Sequence, residues 1–293
     1  ARDRSWLEFG RLDLSLVRHA IAYGGPLILS TVFNWVTQNA SRIAVSYMLG
    51  LAAAGVYSVG LGLGYRAATV AAMMVTAAAF PIAVRLANSG NVEAARQQLA
   101  NNGILLMGLL IPSMTGLALL SHDVLQLFMS KKLDGPVEQV MLWSLLAGGL
   151  ICIRQHFLNQ FFLIGSNTRP IAIIATGEAV VATLLAIVIV PWWGLVGGAV
   201  ALALTSAVSL VVTFFWSGQA GRIIPGKAIA RVMLAAGIMA LALAGTPAAS
   251  TVTMLLSRIV VGGGAYLVAI ALLNRAQVVG AVSARLRRRP TLS

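Results

Sequence analysis

Apolar runs of twenty or more residues follow one another along almost the whole chain, and they decide what it can fold into. The runs cover roughly 18–48, 53–86, 99–129, 137–166, 169–191, 194–217, 227–246 and 252–274. A helix crossing the hydrocarbon core of a bilayer needs about 20 mostly apolar residues. About eight such segments with short connections use nearly all 293 residues, so no room is left for a separate soluble domain. Hydrophobic residues make up 59% of the chain and charged residues only 10%, against about 25% charged in an ordinary soluble domain. A soluble core cannot hide that much apolar side chain, whereas lipid solvates the outside of a bundle. The expected fold is all-α, a polytopic transmembrane helical bundle of about eight spans.

Local chemistry marks the joints. Gly24-Gly25-Pro26 interrupts the first span. Proline removes a backbone donor, and membrane helices tolerate the kink when neighbours repair the loss. Pro81 stands near the end of the second span, and His122 to Ser130 reads as an interfacial tail of the third. Pro191-Trp192-Trp193-Gly194 reads as a tight turn at the headgroup layer, which paired tryptophans favour. The single cysteine, Cys152, excludes an internal disulfide and lies in an apolar run as a small core residue. The basic opening, without an initiator Met or signal-peptide pattern, suggests a fragment of a longer protein.

The charge is lopsided, with 21 Lys+Arg against 8 Asp+Glu. Because the basic residues lie between apolar runs, membrane orientation explains them and nucleic acid is not an expected partner. With the N-terminus inside, the inner segments hold 15 basic residues: Arg2, Arg4, Arg11, Arg18, Arg85, Arg96, Arg169, Arg222, Lys227, Arg231, Arg275, Arg285, Arg287, Arg288 and Arg289. The outer loops hold only Lys131 and Lys132. This bias predicts an even number of spans and both termini in the cytoplasm. The domain reading is a cytoplasmic segment over 1–17, a six-helix lobe over 18–217, two additional helices within 218–276 and a basic tail over 277–293.

Charges inside a membrane cost roughly 2.5–3.5 kcal/mol each on insertion scales, so they face the bundle interior or water. Three groups stand out. Asn34, Gln38 and Arg42 repeat every four residues on one helical face, with Asn39 beside them. Such a stripe suits a wet cavity for an anionic or sugar-rich ligand, or else an interhelical hydrogen-bond seam. Arg66 lies deep in the second span after Gly60, Gly62 and Gly64, and is expected to face the interior and a ligand. In the fourth span Cys152, Gln155, His156, Asn159 and Gln160 share a face near Arg154. The turn at Ser166 to Arg169 brings Glu178, the one acid deep in any span, to the depth of Arg154 and His156. Glu178 is predicted to pair with one of them, either for ion or proton coupling or as a structural ion pair. His19, His122 and Asp123 read as edge or loop residues. No catalytic signature, metal-ligand spacing or phosphate loop is present, so the chain reads as a non-enzyme without a cofactor.

Several stretches carry a family resemblance. Asn39-Ala40-Ser41-Arg42-Ile43, then Leu49-Gly50-Leu51-Ala52-Ala53-Ala54-Gly55-Val56-Tyr57-Ser58-Val59, resemble the polysaccharide (O-antigen and exopolysaccharide) flippases of the MATE-like MOP exporter superfamily. Phe80-Pro81 with Arg85-Leu86, the segment Glu93 to Leu99, and Gly194-Leu195-Val196-Gly197-Gly198-Ala199 do so too. Relatives often carry Asp where this chain has Ser41, which leaves Arg42 freer here. The resemblance implies two six-helix lobes around a central cavity. It implies export of an undecaprenyl-pyrophosphate-type lipid-linked oligosaccharide across a bacterial inner membrane by alternating access, for exopolysaccharide or lipopolysaccharide biosynthesis. The chain would be the second lobe plus two helices, its partners being membrane lipids, a missing N-terminal lobe, and a polysaccharide polymerase with its export machinery. Arg42, Arg66, Asn34, Gln38 and Asn39 would bind substrate. A multidrug or cation antiporter, a peptidoglycan-precursor flippase and a non-transporting assembly subunit are the competing readings; a membrane-embedded glycosyl- or acyltransferase is the least favoured.

Overall fold

The structure, a computed structural model, describes residues 14–128, 134–218 and 226–275. Within them the chain is a succession of long helices: α1 (Leu14–Leu49), α2 (Leu51–Asn88), α3 (Val92–Leu119), short α4 (Ser121–Phe128), α5 (Asp134–Ile153) and α6 (Asn159–Ile164). These are followed by α7 (Arg169–Ser217), α8 (Gly226–Ala244) and α9 (Val252–Leu273). A π-helical turn, Arg154–Leu158, joins α5 to α6, so Pro136–Ile164 forms one span. Seven helices among the described residues are long and apolar enough to cross a membrane, and the chain is a multi-pass membrane protein.

The count rises from seven to eight because α7 is divided in two, its arms being the fifth and sixth spans in chain order. Its 49 residues would extend about 74 Å as a straight helix, more than twice the hydrocarbon thickness of about 30 Å. At Gly194 the backbone turns to φ 58° and ψ −138°, a conformation closed to residues with a Cβ. The two arms fold back on each other there. A Cβ on Gly197 would lie 2.8 Å from the carbonyl of Ile189, eight residues earlier, a proximity no straight helix allows. The turn expected at Pro191–Gly194 is therefore this hinge, with Trp192 and Trp193 exposed beside it. Gly194→Ala meets no neighbouring atom, so its cost is backbone strain alone. It is expected to destabilise the purified protein by about 1–3 kcal/mol, whereas Gly177→Ala, also in open space but helical, leaves the thermal midpoint unchanged or raised.

Short turns make successive spans antiparallel. Arg18, Arg85, Arg96, Arg169, Lys227, Arg231 and Arg275 consequently gather at one end of the bundle. The other basic residues counted above, at positions 2, 4, 11, 131, 132, 222, 285 and 287–289, lie outside the described residues, as do most of the N-terminal segment and the basic tail. Helix α1 begins at Leu14, a turn earlier than the expected start at 18, and α2 runs through Pro81 to Asn88.

Packing relies on small residues, because lipid tails provide no hydrophobic drive between helices. Gly60 and Gly64 of α2 press onto the α5 backbone at Val137 and Met141, and Gly148 of α5 presses onto Tyr65. Val45, Tyr57, Val190 and Ala199 tie α1, α2 and both arms of α7 into one cluster. Helices α8 and α9 pack on each other and on α3 and α4 around Leu120, Met239, Leu243 and Tyr266.

Helix α4 corrects one expectation. Asp123 is not an edge residue: its side chain is buried, it forms an ion pair with Arg258 of α9, and it accepts a hydrogen bond from the Ala249 amide at 3.1 Å. Arg258 also donates to Thr246 Oγ1 at 2.9 Å. This network locks the α8–α9 hairpin onto α4. His122 remains exposed, 3.7 Å from Glu138, and His19 is exposed on α1.

Candidate functional site

Two polar constellations lie among α1, α2, the π turn with α6, and α7. The first is open. Gln38, Asn39 and Arg42 from α1, with Gly62, Tyr65 and Arg66 from α2, line a pocket of about 190 Å³. Asn39 and Arg42 also line a neighbouring pocket of about 360 Å³ with Trp35, so the two recesses meet around Arg42. The α1 stripe points there because residues four apart share a helical face. The α2 side is kept low by Gly62, whose missing side chain leaves open space. Both arginines are exposed on this face, and among the described residues neither has an ion-pair or hydrogen-bond partner. Guanidinium and amide groups without protein partners offer hydrogen-bond donors of the kind that pair with anions and hydroxyls.

The second constellation is closed. Arg154 and Glu178 form an ion pair at 2.5 Å with side chains 1% and 0% exposed. Arg154 also donates to Asn34 Oδ1 at 3.2 Å, so α1, the π turn and α7 meet at one guanidinium. The π turn inserts an extra residue into the helix and so redirects the side chains after it. His156 therefore faces α2, with Nδ1 2.8 Å from Thr76 Oγ1, and Gln160 Nε2 lies 3.4 Å from the same hydroxyl. Ser209 stands beside Glu178 as a side-chain neighbour, and among the described residues Asn159 Oδ1 and Gln160 Oε1 are buried without a hydrogen-bond partner. Glu178, Thr205 and Ser209 border a pocket of about 220 Å³ between the arms of α7.

The geometry thus divides the expected residues. Gln38, Asn39, Arg42 and Arg66 converge, whereas Asn34, one turn from Gln38, turns into the closed network. Of the two partners considered for Glu178, the structure selects Arg154 and gives His156 to Thr76. Sequence reasoning did not foresee Thr76 or Ser209 beside these charges. Hydroxyls in spanning helices usually bond their own backbone, so neither carried a signal. No group of three or more His, Cys, Asp and Glu able to hold a metal occurs among the described residues.

A multi-pass helical bundle with an open cationic groove is the class these observations define. The family model described as a polysaccharide biosynthesis protein matches residues 5–138, which contain the groove residues of α1 and α2. The fold is similar to that of the lipid II flippase MurJ in its inward closed conformation, with a TM-score of 0.76 at 16% identity. That match covers 91% of this chain and 57% of the MurJ chain, so this chain spans somewhat more than half the length of that relative. No curated protein sequence matches the chain.

Proposed function

We propose that the chain is one lobe of a flippase that carries an anionic, lipid-pyrophosphate-linked oligosaccharide across a bacterial inner membrane by alternating access, for exopolysaccharide or lipopolysaccharide assembly. The observation that carries the reading is the groove in which Arg42 and Arg66 stand unpaired beside Gln38 and Asn39. Guanidiniums match phosphate oxygens in charge and geometry, and amides match sugar hydroxyls. The polysaccharide family match over 5–138 and the flippase fold support the same substrate class.

An unpaired arginine against lipid is costly, so on this reading the open α1–α2 face turns toward a cavity shared with a second lobe. Both termini lie in the cytoplasm, and the basic end of the bundle faces it. The six helices within 18–217 form the lobe and the two within 218–276 flank it. A polysaccharide polymerase acts downstream of the exported lipid. The function is transport, without catalytic chemistry. A cation antiporter would need a free acid in the cavity; among the described residues the deep carboxylate, Glu178, is held by Arg154, which favours an anionic cargo.

Arg42→Ala and Arg66→Ala, made in the full-length protein, are each expected to cut polymer export by about tenfold or more, since a charge-assisted contact is worth about 1.5–3 kcal/mol. Membrane abundance should not change, because both side chains are exposed. Normal export from both variants would sink the headgroup role.

A further inference from the structure

We propose that the cleft between α3 and the α8–α9 hairpin is a binding site for an anionic membrane phospholipid. The proposal is independent of the transport reading. The cleft has a volume of about 740 Å³. Lys227 and Arg231 of α8 stand at its mouth with Asn101 and Asn274. Arg231 donates to Asn274 Oδ1 at 3.0 Å, which holds one arm of the guanidinium and leaves its other donors available. Among the described residues no carboxylate lies within ion-pair distance of Lys227 or Arg231, and Arg275 adds a third cation at this end.

The body of the cleft has the opposite character. Leu105 and Leu267 line it while 50% and 65% exposed, so their side chains lack protein cover. The floor is Tyr266, whose hydroxyl donates to the Gly108 carbonyl at 2.7 Å. From Asn101 to Gly108, and from Asn274 back to Tyr266, the cleft runs about 10–12 Å along the helices. That is close to the half-thickness of a hydrocarbon core, about 15 Å. Cations at the membrane edge above an apolar channel one leaflet deep fit a phosphate headgroup with its acyl chain. A water-soluble anion would gain nothing from the channel, and a polar peptide would leave backbone groups unpaired in it.

The test is native mass spectrometry of the full-length protein in micelles carrying equal phosphatidylglycerol and phosphatidylcholine with matched acyl chains. Juxtamembrane cations are worth about fivefold each toward anionic lipid, so two favour phosphatidylglycerol by roughly thirtyfold. The K227Q/R231Q variant should lose most of this preference, keeping at most the roughly fivefold share of Arg275, and R231K should keep the preference. K227Q alone, which leaves the Arg231–Asn274 contact intact, should lose about fivefold even where the double variant alters helix content. Leu105→Trp, which fills the channel, should lower retention of both lipids. Equal retention by the unaltered protein, an unchanged preference in K227Q, or displacement of the lipid by millimolar inorganic phosphate would each overturn the assignment.

Discussion

Replacing Glu178 by alanine is expected to lower the thermal midpoint of the purified protein by on the order of 10 °C. Among the described residues, the substitution leaves Arg154, 1% exposed, with only the Asn34 amide oxygen at 3.2 Å. Removing one partner of a buried pair costs about 3–5 kcal/mol because the other charge stays buried without compensation. Removing both is far milder, so Arg154→Met combined with Glu178→Met should recover most of the loss. Differential scanning fluorimetry on the two single variants and the double variant separates these outcomes. A double variant no more stable than Glu178→Ala would mean that the pair does more than compensate itself. The same variants bear on mechanism. If Glu178→Gln keeps polymer export and its pH dependence, the pair is a structural clasp of α1, the π turn and α7; a changed dependence would assign it to coupling.

The second large effect is expected at Gly64. A Cβ built there would lie 2.2 Å from the Met141 carbonyl oxygen and 2.7 Å from the Leu145 amide nitrogen, both rigid backbone. Gly64→Ala therefore has to push α2 from α5 along the contact that Gly60 and Gly148 share. Overpacking of this kind costs about 1–3 kcal/mol or more, and here no flexible side chain can yield. The yield of correctly folded protein in the membrane should fall severalfold. Gly62→Ala, two residues away, meets nothing within 4 Å and should fold like the parent. Fluorescence-detected size exclusion of tagged variants reads both. Equal yields would show that α2 and α5 can separate without loss.

These predictions divide what each level of description contains. Span number, approximate span length and the break at Gly194 were legible, because continuous apolar runs, prolines and paired tryptophans report directly on bilayer crossing. The partner of Glu178 was narrowed to two residues by counting from the turn at 166–169, since helices rise by a constant amount per residue. Arg42 and Arg66 stood out because charge at that depth demands a reason.

Choice among faces was not legible. In a soluble helix, alternating apolar and polar faces show which side is buried. Here lipid is as apolar as the interior, so that signal vanishes and only small or polar residues mark a contact. The sequence presents Gly60, Gly62 and Gly64 alike, and only the crossing of α2 over α5 presses two of them against α5 and leaves the third open. Asp123 and Arg258 are 135 residues apart, and nothing local to either reveals that the return of α9 buries them together. The π turn at Arg154–Leu158 likewise sends Arg154 to Glu178 and His156 to Thr76, a division invisible to a constant helical period. The sequence alone thus determined that the chain crosses the membrane repeatedly with cations in its spans. Tertiary packing decided which cations are neutralised and which stand open, because that depends on which helices touch.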